Sequence, residues 1–379
     1  MCNNIDMKKI AVFGGTFNPV HNEHVALVNQ AISGLELDKI IITPTFTPPH
    51  KSTVPAPAEH RLNMLKRAFL GNEKVEISDF EIKNQGKSYT YLTVEHFKSL
   101  YPDSTLYFLV GGDMLTDFKT WRYPERILAS CTLAVIARQD YFTDWEGERE
   151  YFKKTFGKEF VRLSYTGKEC SSTKIRIYSA LSLPISDQVP KQVEEYIKEN
   201  EIYSQLEYAD YIKKVLPEKR LKHTANVICQ ALKKVKELKL DEKKVITSAL
   251  LHDLAKYQDK ADYKDFDLPS GVPQAVEHAF LGAYIAEHVL GISDSEVIDA
   301  IKFHTSGKAN MSTLTKLIFV ADMIEEDRDY DGVEYLRQLY ETDFEKCLVE
   351  CLKEEVIHLK NKKQYIYHET LSAFEYYCK

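Results

Sequence analysis

Lys9-Ile10-Ala11-Val12-Phe13-Gly14-Gly15-Thr16-Phe17-Asn18-Pro19-Val20-His21-Asn22-Glu23-His24 decides how the first half of this chain is read. The run from Lys9 to Phe13 is apolar after its first residue and stops at two glycines, the pattern of a buried strand entering a tight turn. A helix is expected from Asn22 to Ser33. Further strands are expected at Lys39–Pro44, at Leu106–Val110 before Gly111-Gly112-Asp113, and at Leu133–Arg138. Buried strands alternating with helical patterns predict a parallel α/β sheet with ligands at the carboxyl ends of its strands.

The texture changes after about Tyr203. Strand-like runs disappear, and Leu221, Thr224, Val227, Ile228, Ala231, Leu232, Val235 and Leu238 recur at helical spacing. The same periodicity covers Val245–Leu254, Val276–Leu290, Ser295–Phe303 and Leu314–Ile324, so the second half is expected to be all helical. At 379 residues the chain exceeds what one core usually supports. The expected division is residues 1–204 and 205–379.

A net charge of −7 argues against bulk nucleic-acid binding through a basic surface, while leaving room for a small anion in a local basic pocket. The 7 cysteines include no CxxC pair, which fits reduced thiols in a cytoplasmic protein. No apolar run reaches the length of a membrane span, and the opening Met1-Cys2-Asn3-Asn4 does not resemble a signal peptide. A homo-oligomer is left open.

Gly14 and Gly15 would let backbone approach a phosphate closely. His21 and His24, three apart, share a face at a helix start whose amides favour an anion. A His-x-x-His pair alone is more often a solvated helix face, and zinc is disfavoured because the His-Glu-x-x-His order is absent. A second anion motif, Cys170-Ser171-Ser172-Thr173-Lys174-Ile175-Arg176, combines helix-capping hydroxyls with positive charge. Together the two motifs suggest a clamp for a nucleoside triphosphate.

The second half carries His223, His252-Asp253, His278, His304 and Asp322. His252 and Asp253 follow Ala249-Leu250-Leu251, and Asp322 follows Leu317-Ile318-Phe319-Val320-Ala321. A carboxylate beside an apolar stripe is costly unless it is paired or coordinated. Any one of these residues has a bland reading as a satisfied core group, as do His60, His96, His288, His358 and His368. The series on successive helices points to metal.

The chain up to about Tyr203 resembles bacterial nicotinate-nucleotide adenylyltransferases, which have a Rossmann-like sheet. The segments that carry the likeness are Gly14–Val25, Thr47–Lys51, Ser88-Tyr89-Thr90, Gly112-Asp113-Met114, Trp121-Arg122 and Ser171–Arg176. The resemblance implies transfer of AMP from ATP, carried with Mg²⁺, to nicotinate mononucleotide. It places His21 and His24 on the triphosphate, beside the Gly14, Gly15, Thr16 and Phe17 turn and Asp113. Ser172, Thr173, Arg176 and Lys51 would hold phosphates, Thr90 and Trp121 would read the pyridine ring, and Arg138 would meet the mononucleotide phosphate. An acceptor phosphate that is already anionic needs no general base, so catalysis reduces to alignment and charge stabilisation. Asn18 stands where that family commonly has Asp, and Glu23 where it has a small Gly.

The region from about Leu206 onward resembles HD-domain phosphohydrolases and, more narrowly, symmetrical diadenosine tetraphosphate hydrolases. This likeness rests on Arg220–His223, Leu250–Lys256, His278-Ala279, Phe303-His304-Thr305 and Val320–Arg328. It implies His223, His252, Asp253 and Asp322 as ligands of a first metal, iron by resemblance, although such donors also suit manganese or zinc. His278 and His304 would bind a second metal or contact phosphate. Arg220, Thr305 and Arg328 would hold the nucleotide. Two other readings stand beside this one. The helical half could act on another nucleotide or only sense nucleotides, and the first site could take pantetheine phosphate. Trp121 and Ser88-Tyr89-Thr90 favour the pyridine nucleotide.

Overall fold

Ile10, Ala11 and Val12 are fully buried because their strand, β1 (Lys9–Gly15), lies inside the sheet, with β2 (Lys39–Pro44) on one side and β4 (Thr105–Gly111) on the other. The computed structural model describes residues 7–46, 56–84, 88–138, 144–167 and 170–378, without the side chains of Asp113 and Arg138. β3 (Val75–Ile77) and β5 (Thr132–Arg138) extend the sheet, and β6 (Val161–Tyr165) ends it, giving the order β3-β2-β1-β4-β5-β6. Every pairing is parallel. The four central strands fall where the apolar runs predict. The two edge strands were not expected: Val75–Ile77 is short, and Val161–Tyr165 alternates buried Leu163 with exposed Arg162 and Ser164.

Four helices position the first site: α1 (Asn22–Gly34), α2 (Ala58–Ala68), α3 (Thr90–Leu100) and α4 (Ser172–Ala180). α1 begins immediately after the β1 turn, as expected. The chain divides into two compact units, one of Met1–Ile175 with Ile185–Ile202, the other of Arg176–Pro184 with Tyr203–Lys379.

The second unit is helical among its described residues. Its site is carried by α5 (Glu218–Leu232), α6 (Glu242–Leu251), α7 (Gln274–His288), α8 (Ser295–Phe303) and α9 (Thr313–Ile324). Three start at polar caps: Asp241, Asp294 and Ser312 each accept a first-turn backbone N–H. α5 stops at Leu232, short of the predicted Leu238. Lys234 is almost fully buried there, and its ammonium donates to the Glu341 carbonyl and to Glu237, which turns the chain. α6 likewise stops at Leu251, and the run to Leu254 continues as turns that present His252 and Asp253. Among the described residues no helix is long and apolar enough to cross a membrane.

Candidate functional sites

In the first unit, the head of α1 is closed by its own histidines. His21 is the N-cap, and its Nδ1 accepts from the His24 N–H at 3.4 Å while His24 Nδ1 accepts from the His21 N–H at 3.2 Å. The rings stack with centroids 3.7 Å apart. An Nδ1 that accepts cannot carry the proton, so each ring is a neutral imidazole with its proton on Nε2. Burial pushes His21 down to about 4, in keeping with that state. Phe17, at φ 48, packs its ring edge-on to His24 at 5.1 Å. The result is two pre-oriented N–H donors at a helix N-terminus, a suitable receiver for a phosphate oxygen.

The flanking residues explain the turn. A Cβ on Gly15 would lie 2.9 Å from the Phe17 ring, so Gly15 is required by its own neighbour, whereas Gly14 has ordinary clearance. Ser172 donates to the Pro19 carbonyl at 3.1 Å, which brings the second anion motif against the first. Asn18 accepts from the Ala56 N–H at 3.1 Å. Glu23 is drawn toward β6, where the Tyr165 hydroxyl donates to it at 3.0 Å. Gly167 must lack a side chain there, because a Cβ would meet Tyr165 at 2.1 Å and Glu23 at 2.4 Å.

Arg61, on α2, was not singled out from the sequence. It is 1% exposed, and its guanidinium donates to the carbonyls of Ala56, Thr16 and Phe46 at 2.9, 2.9 and 3.4 Å. One side chain thereby ties together the loop ends that follow β1 and β2. The sequence signal was slight: an arginine among the apolar positions of an amphipathic helix.

The other expected residues are more dispersed. Thr90 is the first residue of α3 and is half-buried. Trp121 packs against Phe118 at 5.3 Å and Phe108 at 6.3 Å, so part of its ring belongs to the core. Thr173 lies in the first turn of α4. Arg176, on the same helix, falls in the second unit, where burial lowers its pKa against the opposing influence of Tyr203 and Glu242. Asp113 sits in the short helix Gly112–Asp117 just after β4, and Arg138 closes β5. Lys51 lies outside the described residues.

In the second unit, the expected ligands converge. His223 Nε2 is 3.1 Å from Asp322 Oδ1 and 3.3 Å from His252 Nε2. Asp253 Oδ2 lies 3.5 Å from His252 Nε2, and its Oδ1 lies 3.1 Å from His278 Nε2 and 3.6 Å from His304 Nε2. Two groups with metal-ligand spacing result: His223 with His252 and Asp322, and His252 with Asp253 and His304. His252 is common to both.

Hydrogen bonds set the tautomers needed for coordination. His252 Nδ1 faces the Ala249 carbonyl and His304 Nδ1 faces the Ile301 carbonyl, each at 2.7 Å. A carbonyl only accepts, so the proton sits on Nδ1 and the Nε2 lone pair points into the cluster. His223 Nδ1 meets Glu325 at 3.0 Å, the carboxylate–histidine arrangement common behind metal ligands. Glu325 is 2% exposed and was not singled out from the sequence, where it opens an acidic run.

Charge in the cluster is nearly all internal. Burial opposes ionisation of Asp253, yet His252, His278 and His304 hold it well below the usual carboxylate range. Asp322 is held low in the same way by His223 and Arg328. Burial lowers His252 and takes His278 down to about 4. His223, although buried, is raised to about 9 by Asp322 and Glu325. Arg220 reaches Asp253 at 2.7 Å, and Arg328 donates to the Asp322 carboxylate and carbonyl. Thr305 Oγ lies 2.9 Å from His304 Nε2. Lys256, also not singled out, places its ammonium 3.1 Å from His278 Nε2 and 3.7 Å from Asp253. Inward-facing lone pairs and carboxylates, buried and backed by fixed donors, fit a divalent cation.

Comparison with known proteins covers both regions. Residues 12–177 match the cytidylyltransferase-like family model, and residues 220–327 match the HD domain. A Mycoplasma genitalium protein named "Probable nicotinate-nucleotide adenylyltransferase/Ap4A hydrolase" is 30% identical over 85% of this chain and 88% of its own length. A Clostridium acetobutylicum protein named "Probable nicotinate-nucleotide adenylyltransferase" is 41% identical over 52% of this chain and all of its own length. A solved C. acetobutylicum structure, described as a predicted HD superfamily hydrolase involved in NAD metabolism, shares 30% identity. It covers 45% of this chain and 94% of its own, with a TM-score of 0.41.

Proposed function

Because the chain belongs to the family of fused nicotinate-nucleotide adenylyltransferase/Ap4A hydrolases, we propose that it carries both activities. We assign the transferase activity to residues 1–204 and the hydrolase activity to residues 205–379, although Arg176–Pro184 falls in the second compact unit. In the first reaction, an oxygen of the nicotinate mononucleotide phosphate bonds to the α-phosphorus of ATP. The bond to the β-phosphate oxygen breaks, and deamido-NAD and pyrophosphate result. His21 and His24 donate from Nε2 to the α-phosphate as charge grows on it, without adding net charge. Ser172, Thr173, Arg176 and Lys51 hold the leaving phosphates, with Mg²⁺ arriving on ATP. Thr90 and Trp121 would read the pyridine, and Arg138 would meet the acceptor phosphate. The tie between Glu23 and Tyr165 draws the extra carboxylate toward β6, which reduces its cost to ATP binding.

In the second reaction, water is added across the central phosphoanhydride of diadenosine tetraphosphate, giving two ADP. His223, His252, Asp253 and Asp322 would hold the first cation, iron, with manganese as the alternative; His278 and His304 would serve a second cation or the phosphate. A cation there supplies an acidified water and a polarised phosphoryl group. Arg220, Arg328 and Thr305 position the nucleotide beside it. The observation that carries this reading is the pair of ligand groups that share His252, with the tautomers of His252 and His304 set by backbone carbonyls.

The test is incubation of the metal-loaded protein with diadenosine tetraphosphate, followed by nucleotide chromatography. ADP as sole product is expected. AMP with ATP would overturn the symmetrical cut. Absence of turnover with iron or manganese bound would move the helical half to another nucleotide or to sensing.

A further inference from the structure

A cavity of about 400 Å³ adjoins the histidine cluster, within the range of small-molecule sites. Lys256 and His278 form its inner wall, and both also face Asp253 Oδ1. Its other walls include Tyr257, Lys260, Phe266 and Gln274. Tyr257 is 61% exposed, an unusual position for a large ring so close to buried metal ligands. Lys260 is held at 3.0 Å by Glu277, which fixes an ammonium at the rim. Phe266 is braced by Tyr284 at 5.3 Å. Gln274 is exposed in the first turn of α7 and offers an amide edge.

We propose that this cavity receives one nucleoside diphosphate half of the dinucleotide, with its purine stacked on Tyr257 and its phosphates led past Lys260 and Lys256 to the cluster. This rests on the dinucleotide-hydrolase reading above. A substrate cut at its centre must leave the cluster in two directions. Arg220 lies on the Oδ2 side of Asp253, and Arg328 beside Asp322, which serves one half. The cavity opens from the Oδ1 side, through Lys256 and His278, and gives the other half a place to lie. Asp259 and Glu277 also line the cavity, Glu277 paired to Lys260, so the features that match a nucleoside diphosphate are the aromatic face, the amide edge and the Lys256 ammonium beside the phosphate-cleaving centre.

Two measurements on the full-length, metal-loaded protein test the assignment. Tyr257→Ala is expected to raise KM for diadenosine tetraphosphate by at least about tenfold while kcat stays within about threefold, and Tyr257→Phe is expected to restore KM. An unchanged KM in Tyr257→Ala overturns the assignment. Photolabelling with 8-azido-ADP and peptide mapping is expected to mark residues 255–266, and Tyr257→Ala to lose that mark. Label confined to other segments overturns it. Failure of the unsubstituted protein to hydrolyse the dinucleotide counts against the hydrolase reading instead, and the photolabel alone then decides what the cavity binds.

Discussion

At the head of α1, two neutral imidazoles present N–H donors, and the neighbouring carboxylate is tied to Tyr165. In the second unit, four imidazoles, a guanidinium and an ammonium crowd around Asp253. The difference follows from what each reaction lacks. Adenylyl transfer brings its own anionic nucleophile and its own metal, so the protein supplies alignment and hydrogen bonds on loops at strand ends. Hydrolysis must make a nucleophile from water, so the protein gathers buried, charged groups on consecutive helices.

The largest expected effect concerns Asp253, whose carboxylate lies within 3.8 Å of every imidazole of the cluster. Asp253→Ala is expected to lower dinucleotide hydrolysis by on the order of 10³-fold and to deplete bound metal. Asp253→Asn, which keeps the shape, should do likewise. Hydrolysis near the original rate in either would remove the cluster from the chemistry.

A smaller loss is expected at the other site. His24→Ala should cut adenylyl transfer by roughly 10²- to 10³-fold, as removal of one preorganised donor does. Steady-state rates at saturating ATP check this, and a change confined to KM would mean that the ring only binds.

Glu325 sharpens the comparison, because it acts behind a ligand. Glu325→Gln should weaken metal affinity roughly 10- to 100-fold, read by competition with a chelator, with little change in rate once metal is saturating. Equal affinity in the two proteins would make Glu325 a packing residue.

The smallest effect is on stability. His21 is held near 4 when folded, against an ordinary value of 6.5, so between those values the unfolded chain binds more protons. Its contribution is therefore complete above pH 6.5 and is lost as pH falls toward 4, on the order of 3 kcal/mol in total. His21→Asn, which keeps a capping side chain, should flatten that part of the stability–pH curve in denaturant titrations. An identical slope would place the buried proton elsewhere.

Much of this contrast was legible in the chain. Buried runs such as Lys39–Pro44 identify central parallel strands because both faces are covered, and His252-Asp253 or Asp322 stand out because charge interrupts an apolar helix. What was not legible depends on contacts distant in sequence. Arg61 looks like one basic residue among several on α2, and only folding brings the carbonyls of Thr16 and Phe46 to it. Glu325 is one acid in an acidic run until His223 is placed against it. β6 is hidden because an edge strand needs only one buried side.

On this reading one chain holds two chemically independent sites. The direct measurement is both rates, adenylyl transfer and dinucleotide hydrolysis, on folded His24→Ala and Asp253→Ala proteins prepared side by side. Each variant is expected to lose one activity and keep the other. A folded variant that loses both would contradict it.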